Sequence, residues 1–276
     1  MRRTVSAELA FTTIAGATRV VLQVAAARVP GLEIEETLAV TLDDEPLTAV
    51  EIPTAHGGVM HTFDFPASTP WGKKIRLRYD ATVTSDDDGA GTTAPDNPDD
   101  RDIYLRPSRY AESDRMLPVA RREFTGVTGL DLVNAVSAFV HEHLRYVPGS
   151  SRFTDGSVET FLAGAGVCRD YAHLTTSLLR GLDVPARLVA VYAPGLTPMD
   201  FHAVTEAWVD GRWYVIDGTR LAPRSALLRI STGRDAADTA FLSSYGAGIL
   251  MGPQTVTATI EGELPTDDPT EPVQMA

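Results

Sequence analysis

The stretch FHAVTEAWVDGRWYVID, residues 201–217, decides how this chain is read. Two runs of alternating β-branched and aromatic residues flank Asp210-Gly211, a dipeptide that tolerates the positive φ angles of a two-residue hairpin turn. A tight turn there sets Trp208 opposite Trp213, Val204 opposite Asp217 and His202 opposite Thr219. Side chains alternate along a strand, so His202, Val204, Glu206 and Trp208 share one face with Trp213, Val215, Asp217 and Thr219. His202 and Asp217 become diagonal neighbours, roughly 7–8 Å apart at Cα and able to meet at their tips. A carboxylate that holds an imidazole is the base-and-orienter half of a nucleophilic triad. Glu206 lies on the same face and competes for the orienter's role. Asp217 is favoured because its strand end lies beside His202. The two tryptophans are expected to pack the core.

The nucleophile lies upstream, in GVCRDYAHL, residues 166–174, which holds Cys168, the single cysteine of 276 residues. Val167, Tyr171, Leu174 and Leu178 form a helical stripe, Gly164 and Gly166 interrupt the chain before it, and Gly181 stops it. Cys168 falls in the first turn, where unpaired N–H groups and the helix dipole favour a thiolate. Most free cysteines are small buried hydrophobes instead. Position alone leaves both readings open, and the hairpin shifts the balance toward a nucleophile. Asp170 is expected to turn away from the sulfur and pair with a cation. His173, five positions after Cys168, is read as structural. His141 and His143, in the helical stretch GLDLVNAVSAFVHEHLRYV, are two residues apart rather than four, so they do not form a zinc pair. They are expected to be exposed near the helix end.

The rest of the chain divides by composition. Residues 1–84 carry short alternating runs with turn signals, among them Asp43-Asp44, and predict an antiparallel β domain. Residues 85–103 include SDDDGAGTTAPDNPDD, read as an acidic, solvated linker, since the calcium-loop spacing is absent. Residues 104–262 hold the helices, the buried strand VPARLVAVYA, the hairpin and a last strand in QTVTATIEGEL. Residues 263–276 form an acidic, Pro-containing tail expected to be disordered.

The net charge of −13 and pI near 4.8 argue against nucleic acid and against an anionic membrane surface. A lone cysteine forms no internal disulfide and fits a reducing compartment. The opening MRRTVSAELAF lacks the apolar run of a signal peptide, because Glu8 interrupts it. A cytoplasmic protein is expected, with no cofactor and no metal.

The pair of motifs resembles the transglutaminase-like superfamily. In that family a Cys opens a helix after Gly-x-Cys, a His begins a strand, often after Asp-Phe, and an Asp closes the next strand. The matching positions are Cys168, His202 and Asp217, and the resemblance runs from about Leu130 to Thr219. The β-rich first part, YLRPSRY (104–110) and LAPRSALLRISTGRDAADTAF (221–241) look like bacterial members with a small β domain before the catalytic one. One departure is Asp217-Gly218-Thr219, where the family commonly has Asp-Pro-Thr. The resemblance implies an α+β fold: an N-terminal antiparallel β domain followed by a papain-like, transglutaminase-like core with an antiparallel sheet. It also implies acyl transfer on peptide or protein amides through a thioester on Cys168. The backbone N–H of Cys168 would help hold the oxyanion. Hydrolysis is placed ahead of transfer to an amine, as in a transglutaminase or amide ligase. A non-catalytic binding module is the remaining alternative.

Overall fold

The computed structural model describes residues 1–85 and 98–275. Twelve-residue strands at Arg2–Thr13, Lys74–Ser85 and Ile249–Ile260 build most of a five-stranded antiparallel sheet, with Leu32–Leu42 and Glu45–Pro46 at one edge. Arg2–Thr13 and Lys74–Ser85 alternate inward and outward residues throughout, and Ile249–Ile260 does so from Thr255 onward. Val5, Ala7, Leu9 and Phe11 pack against Leu77, Tyr79, Val20, Leu22 and Phe63. The facing four-stranded sheet has the order Leu242–Gly246, Thr18–Leu22, Val59–Phe65, Val50–Pro53. Alternation with one apolar face makes two such sheets close over a shared core. The Asp43-Asp44 turn forms as expected, with both residues at positive φ, 49° and 70°.

The second layer is a four-stranded antiparallel sheet, ordered Arg212–Ile216, Phe201–Val209, Ala186–Tyr192, Leu228–Gly233. Helices Ser113–Glu123, Gly129–His143 and Cys168–Gly181 cover one face, burying Leu132, Val136, Val140, Leu174 and Leu178. Val189, Val191, Val204, Val215 and Leu227 form a core on the other face. The fold is therefore α+β, with mostly antiparallel sheets.

Several expectations need correction. Strands Leu242–Gly246 and Ile249–Ile260 pair with Thr18–Leu22 and Arg2–Thr13, so the sheets of the first part are completed by residues assigned to the core at 104–262. The tail at 263–276 is docked as far as Met275. Arg224 holds Asp267 at 3.0 Å and the Glu271 carbonyl at 3.0 Å, Val215 N–H donates to Val273 O at 2.8 Å, and Met275 is buried. An acidic segment stays ordered here because a buried arginine and an apolar slot receive it. Of the linker at 85–103, Ser85 ends a strand, Pro98–Ile103 is helical, and residues 86–97 lie outside the described residues. The strand Thr18–Leu22 stops at Leu22, after which Val24 to Ala27 run buried without strand pairing.

The two parts interlock through buried polar contacts. Arg3, 1% exposed, donates from Nε to Ala226 O at 2.9 Å. Tyr192 O–H donates to Val24 O at 2.7 Å, and its ring stacks 6.4 Å from Tyr79.

Candidate active site

The hairpin forms in the register expected from Asp210-Gly211. Both turn residues have positive φ, 49° and 83°, and Trp208 pairs with Trp213 and Thr205 with Ile216. This places His202 beside Asp217: the ring Nε2 lies 2.8 Å from Asp217 Oδ2, and both residues are buried. The other carboxylate oxygen accepts the Thr219 N–H at 2.9 Å and the Thr219 hydroxyl at 2.6 Å. Asp217 thus has its geometry set before any substrate arrives. Burial works against its charged form, but the His202 ring and the Thr219 donors outweigh that and lower its pKa. Burial likewise disfavours imidazolium at His202, yet Asp217 and then Cys168 raise its pKa to about 10.

Cys168 opens the helix Cys168–Gly181 and is half-buried. Its side chain sits within reach of the His202 ring, whose Nδ1 has no oxygen or nitrogen partner. The sequence dictates this entry closely. Asp170, fully buried, turns back so that Oδ2 accepts the Val167 N–H at 2.8 Å, and its other oxygen meets Arg169 at 3.3 Å. Its carboxylate therefore caps the helix and pairs with a cation, as anticipated. Gly166 is required for closeness: a Cβ there would lie 2.6 Å from Asp170 Cβ.

The surrounding residues separate into supports and bystanders. Glu206 does not compete for His202, because Arg187 (2.7 Å) and Arg229 (2.6 Å) take both its oxygens. Burial would raise its carboxyl, but the two guanidinium groups hold it at about 2. Trp208 and Trp213 pack edge to face at 5.4 Å, with Arg187 stacked 3.9 Å over Trp213. His173 is fully buried and stacks 5.2 Å from Tyr110. Burial pulls its pKa down to about 3, and its Nε2 accepts the Ala236 N–H at 3.1 Å. The exposed reading of His141 and His143 is corrected. Each is half-buried and donates to a carbonyl, His141 Nδ1 to Gly218 O at 2.9 Å and His143 Nε2 to Phe161 O at 2.8 Å. His141 thereby braces the turn that follows Asp217.

Tyr146 was not singled out from the sequence. It lies on the short strand Arg145–Tyr146, parallel to Ala165–Gly166, and its ring is 6.1 Å from Tyr171. Burial pushes its phenol up to about 12, the Cys168 side chain adds to this, and the Cys168 backbone N–H acts against it. A two-residue strand carries no periodicity by which sequence reading could have found it.

Sulfur, imidazole and carboxylate in this order define a papain-like, cysteine-dependent arrangement. Residues 122–218 match the model of the transglutaminase-like superfamily, so this stretch is similar to that superfamily. The chain is similar to a crystal structure from Cytophaga hutchinsonii, named as a "Putative Cysteine Protease", with a TM-score of 0.85 and 28% identity. That likeness spans 97% of this chain and 93% of the other, so it includes the β-sandwich. An uncharacterized protein of Mycobacterium leprae is 27% identical over 156 residues, 53% of this chain. The matched part is 56% of that relative, so the chain spans about half the length of the curated relative it matches. Among the described residues, no group of three His, Cys, Asp or Glu side chains is placed to hold a metal. No helix among them is long and apolar enough to cross a membrane.

Proposed function

We propose that this protein hydrolyses peptide or protein amide bonds through a thioester on Cys168. One observation carries the reading: a buried imidazole is held by a carboxylate at one nitrogen, and the chain's single cysteine lies against it at a helix start. The Cys168 thiol passes its proton to the His202 ring as its sulfur attacks the amide carbon, and the C=O π electrons move to oxygen. The backbone N–H of Cys168 is one donor to that oxyanion, and a donor of this kind is worth about 10²–10³ in rate. His202 passes its proton to the leaving amine as the C–N bond breaks, leaving a thioester. Water, losing a proton to His202, then attacks the thioester, releasing the acid and restoring the starting state. Asp217 keeps Nε2 in place and stabilises the imidazolium. The likeness to the Cytophaga hutchinsonii protein supports hydrolysis over transfer. A lone cysteine, which forms no internal disulfide, supports a reducing, cytoplasmic setting.

The test compares wild type with Cys168→Ala in two parallel assays, peptide hydrolysis and dansyl-cadaverine incorporation into casein. Hydrolysis that disappears in the variant supports the proposal. Incorporation that outruns hydrolysis reassigns the enzyme to amine transfer. Equal signals from wild type and variant in both assays remove the enzyme reading and leave a binding module.

A further inference from the structure

We infer that the cavity beside Cys168 and His202 is a subsite for one uncharged, apolar side chain of the substrate, an inference that rests on the proposed function. The cavity holds about 210 Å³, and those two residues are part of its lining.

Its floor follows from where the cysteine helix begins. Ala190 and Ala203 pair across adjacent strands, and alternation puts both on the same sheet face as Thr205. The helix covers that face at Thr205, whose hydroxyl donates to Ala172 O at 3.0 Å. Four residues before Ala172 the helix ends at Cys168, and the sheet face beyond is left open. Ala190 is accordingly half-buried, although every other residue of Ala186–Tyr192 is fully buried. Two methyl side chains stand side by side at the spot where a larger pair would fill the gap. Leu188, Ile230 and Phe241 add to the apolar lining.

The polar groups among the lining residues are partly engaged. The Gln23 amide donates to Asp238 O at 3.0 Å and to Ala240 O at 3.2 Å. Asp200 Oδ1 accepts the Phe201 N–H at 2.8 Å and the Gln254 amide at 3.1 Å. Arg169 is held by Arg152 O at 2.7 Å, with Ser151 and Asp170 alongside, while its Nε has no hydrogen-bond partner. A charged side chain entering this largely carbon-lined space would lose most of its water. An aliphatic or aromatic one would gain by leaving water. Gln23 and Gln254 belong to the sandwich strands or their extensions, so the β layers take part in substrate choice and do more than brace the core.

The test uses chloroacetyl peptides identical except at one residue, Leu, Phe, Ala, Glu or Lys. Alkylation of Cys168 is followed by intact mass, with iodoacetamide as the reagent that carries no side chain. The Leu and Phe reagents should outpace Ala by about tenfold or more, the low end of what a hydrophobic pocket discriminates. Glu and Lys should gain nothing over Ala. Ala190→Phe fills the floor and should bring Leu and Phe to within about twofold of Ala, with the iodoacetamide rate held within about twofold of wild type. Ala240→Leu, on the segment outside the sheet, gives the same readout should Ala190→Phe not fold. A preference for Glu or Lys, or a Leu and Phe advantage that survives in the folded filled variants, overturns the subsite. A wild-type iodoacetamide rate no faster than that of a free thiol would instead overturn the function beneath it, and the subsite with it.

Discussion

Two buried charged clusters sit four residues apart on the strand Phe201–Val209, and they differ in one respect. At Glu206 every carboxylate oxygen is taken by Arg187 or Arg229, and Arg187 is further stacked on Trp213. At His202 one ring nitrogen is taken by Asp217 while the other has no oxygen or nitrogen partner and lies beside a half-buried sulfur. Burial and perturbed titration are shared by both clusters, so neither property identifies a reactive site. What separates His202 is a ring nitrogen without a hydrogen-bond partner in a residue that lines the cavity beside Cys168. The Glu206 carboxylate has both oxygens taken and ties the sheet together, whereas the His202 ring keeps one nitrogen available for a proton.

The comparison breaks most sharply by substitution. His202→Ala should lower peptide hydrolysis by about 10⁴-fold or more, as expected where residues act as a unit. Asp217→Asn keeps the shape but loses the anion that fixes the imidazole; kcat should fall by about 10²–10⁴-fold. Glu206→Ala should do the reverse. It strands two buried guanidinium groups, so chemical denaturation should show a loss of about 3–5 kcal/mol, while the folded fraction keeps its activity. Gly166→Ala forces a Cβ against Asp170, and about 1–3 kcal/mol of stability should be lost as the helix start shifts.

The clusters should also separate by pH. The Glu206 carboxyl is held at about 2, below its ordinary 4.5, so its stabilisation is present above pH 4.5 and fades as pH falls toward 2. His202 is raised from 6.5 to about 10, so its stabilisation is complete below pH 6.5 and is lost as pH rises toward 10. Denaturant midpoints across pH should show the acid limb flatten in Glu206→Gln and the alkaline limb flatten in His202→Gln. An NMR titration of His202 with a midpoint at or below 6.5 would erase the distinction between the two clusters.

Local sequence carried the site further than it carried the fold. Asp210-Gly211 dictates a turn of one geometry, and strand alternation then leaves His202 and Asp217 no choice but to share a face. Cys168 could be placed at a helix start because glycines interrupt the chain before it and an apolar stripe follows. Elsewhere local rules misled. Pro118 obscures the helix Ser113–Glu123, which persists because its partner is the cysteine helix. The strand Arg2–Thr13 falls within the expected β domain, but its partner Ile249–Ile260 lies far away in the sequence, beyond the hairpin and all the helices. The tail reads as disordered by composition, and nothing nearby in sequence announces that Arg224 awaits it.

What the amino-acid sequence determined alone was the pairing of His202 with Asp217, set by a two-residue turn, and the helix position of the sulfur, since both depend on backbone geometry within about twenty residues. The tertiary structure decided which carboxylate stays free for His202, by supplying Arg187 and Arg229 to occupy Glu206. It also created the cavity, whose walls come from residues as distant as Gln23 and Gln254. A hollow exists only where packing stops, and where packing stops is settled by the meeting of all the layers at once.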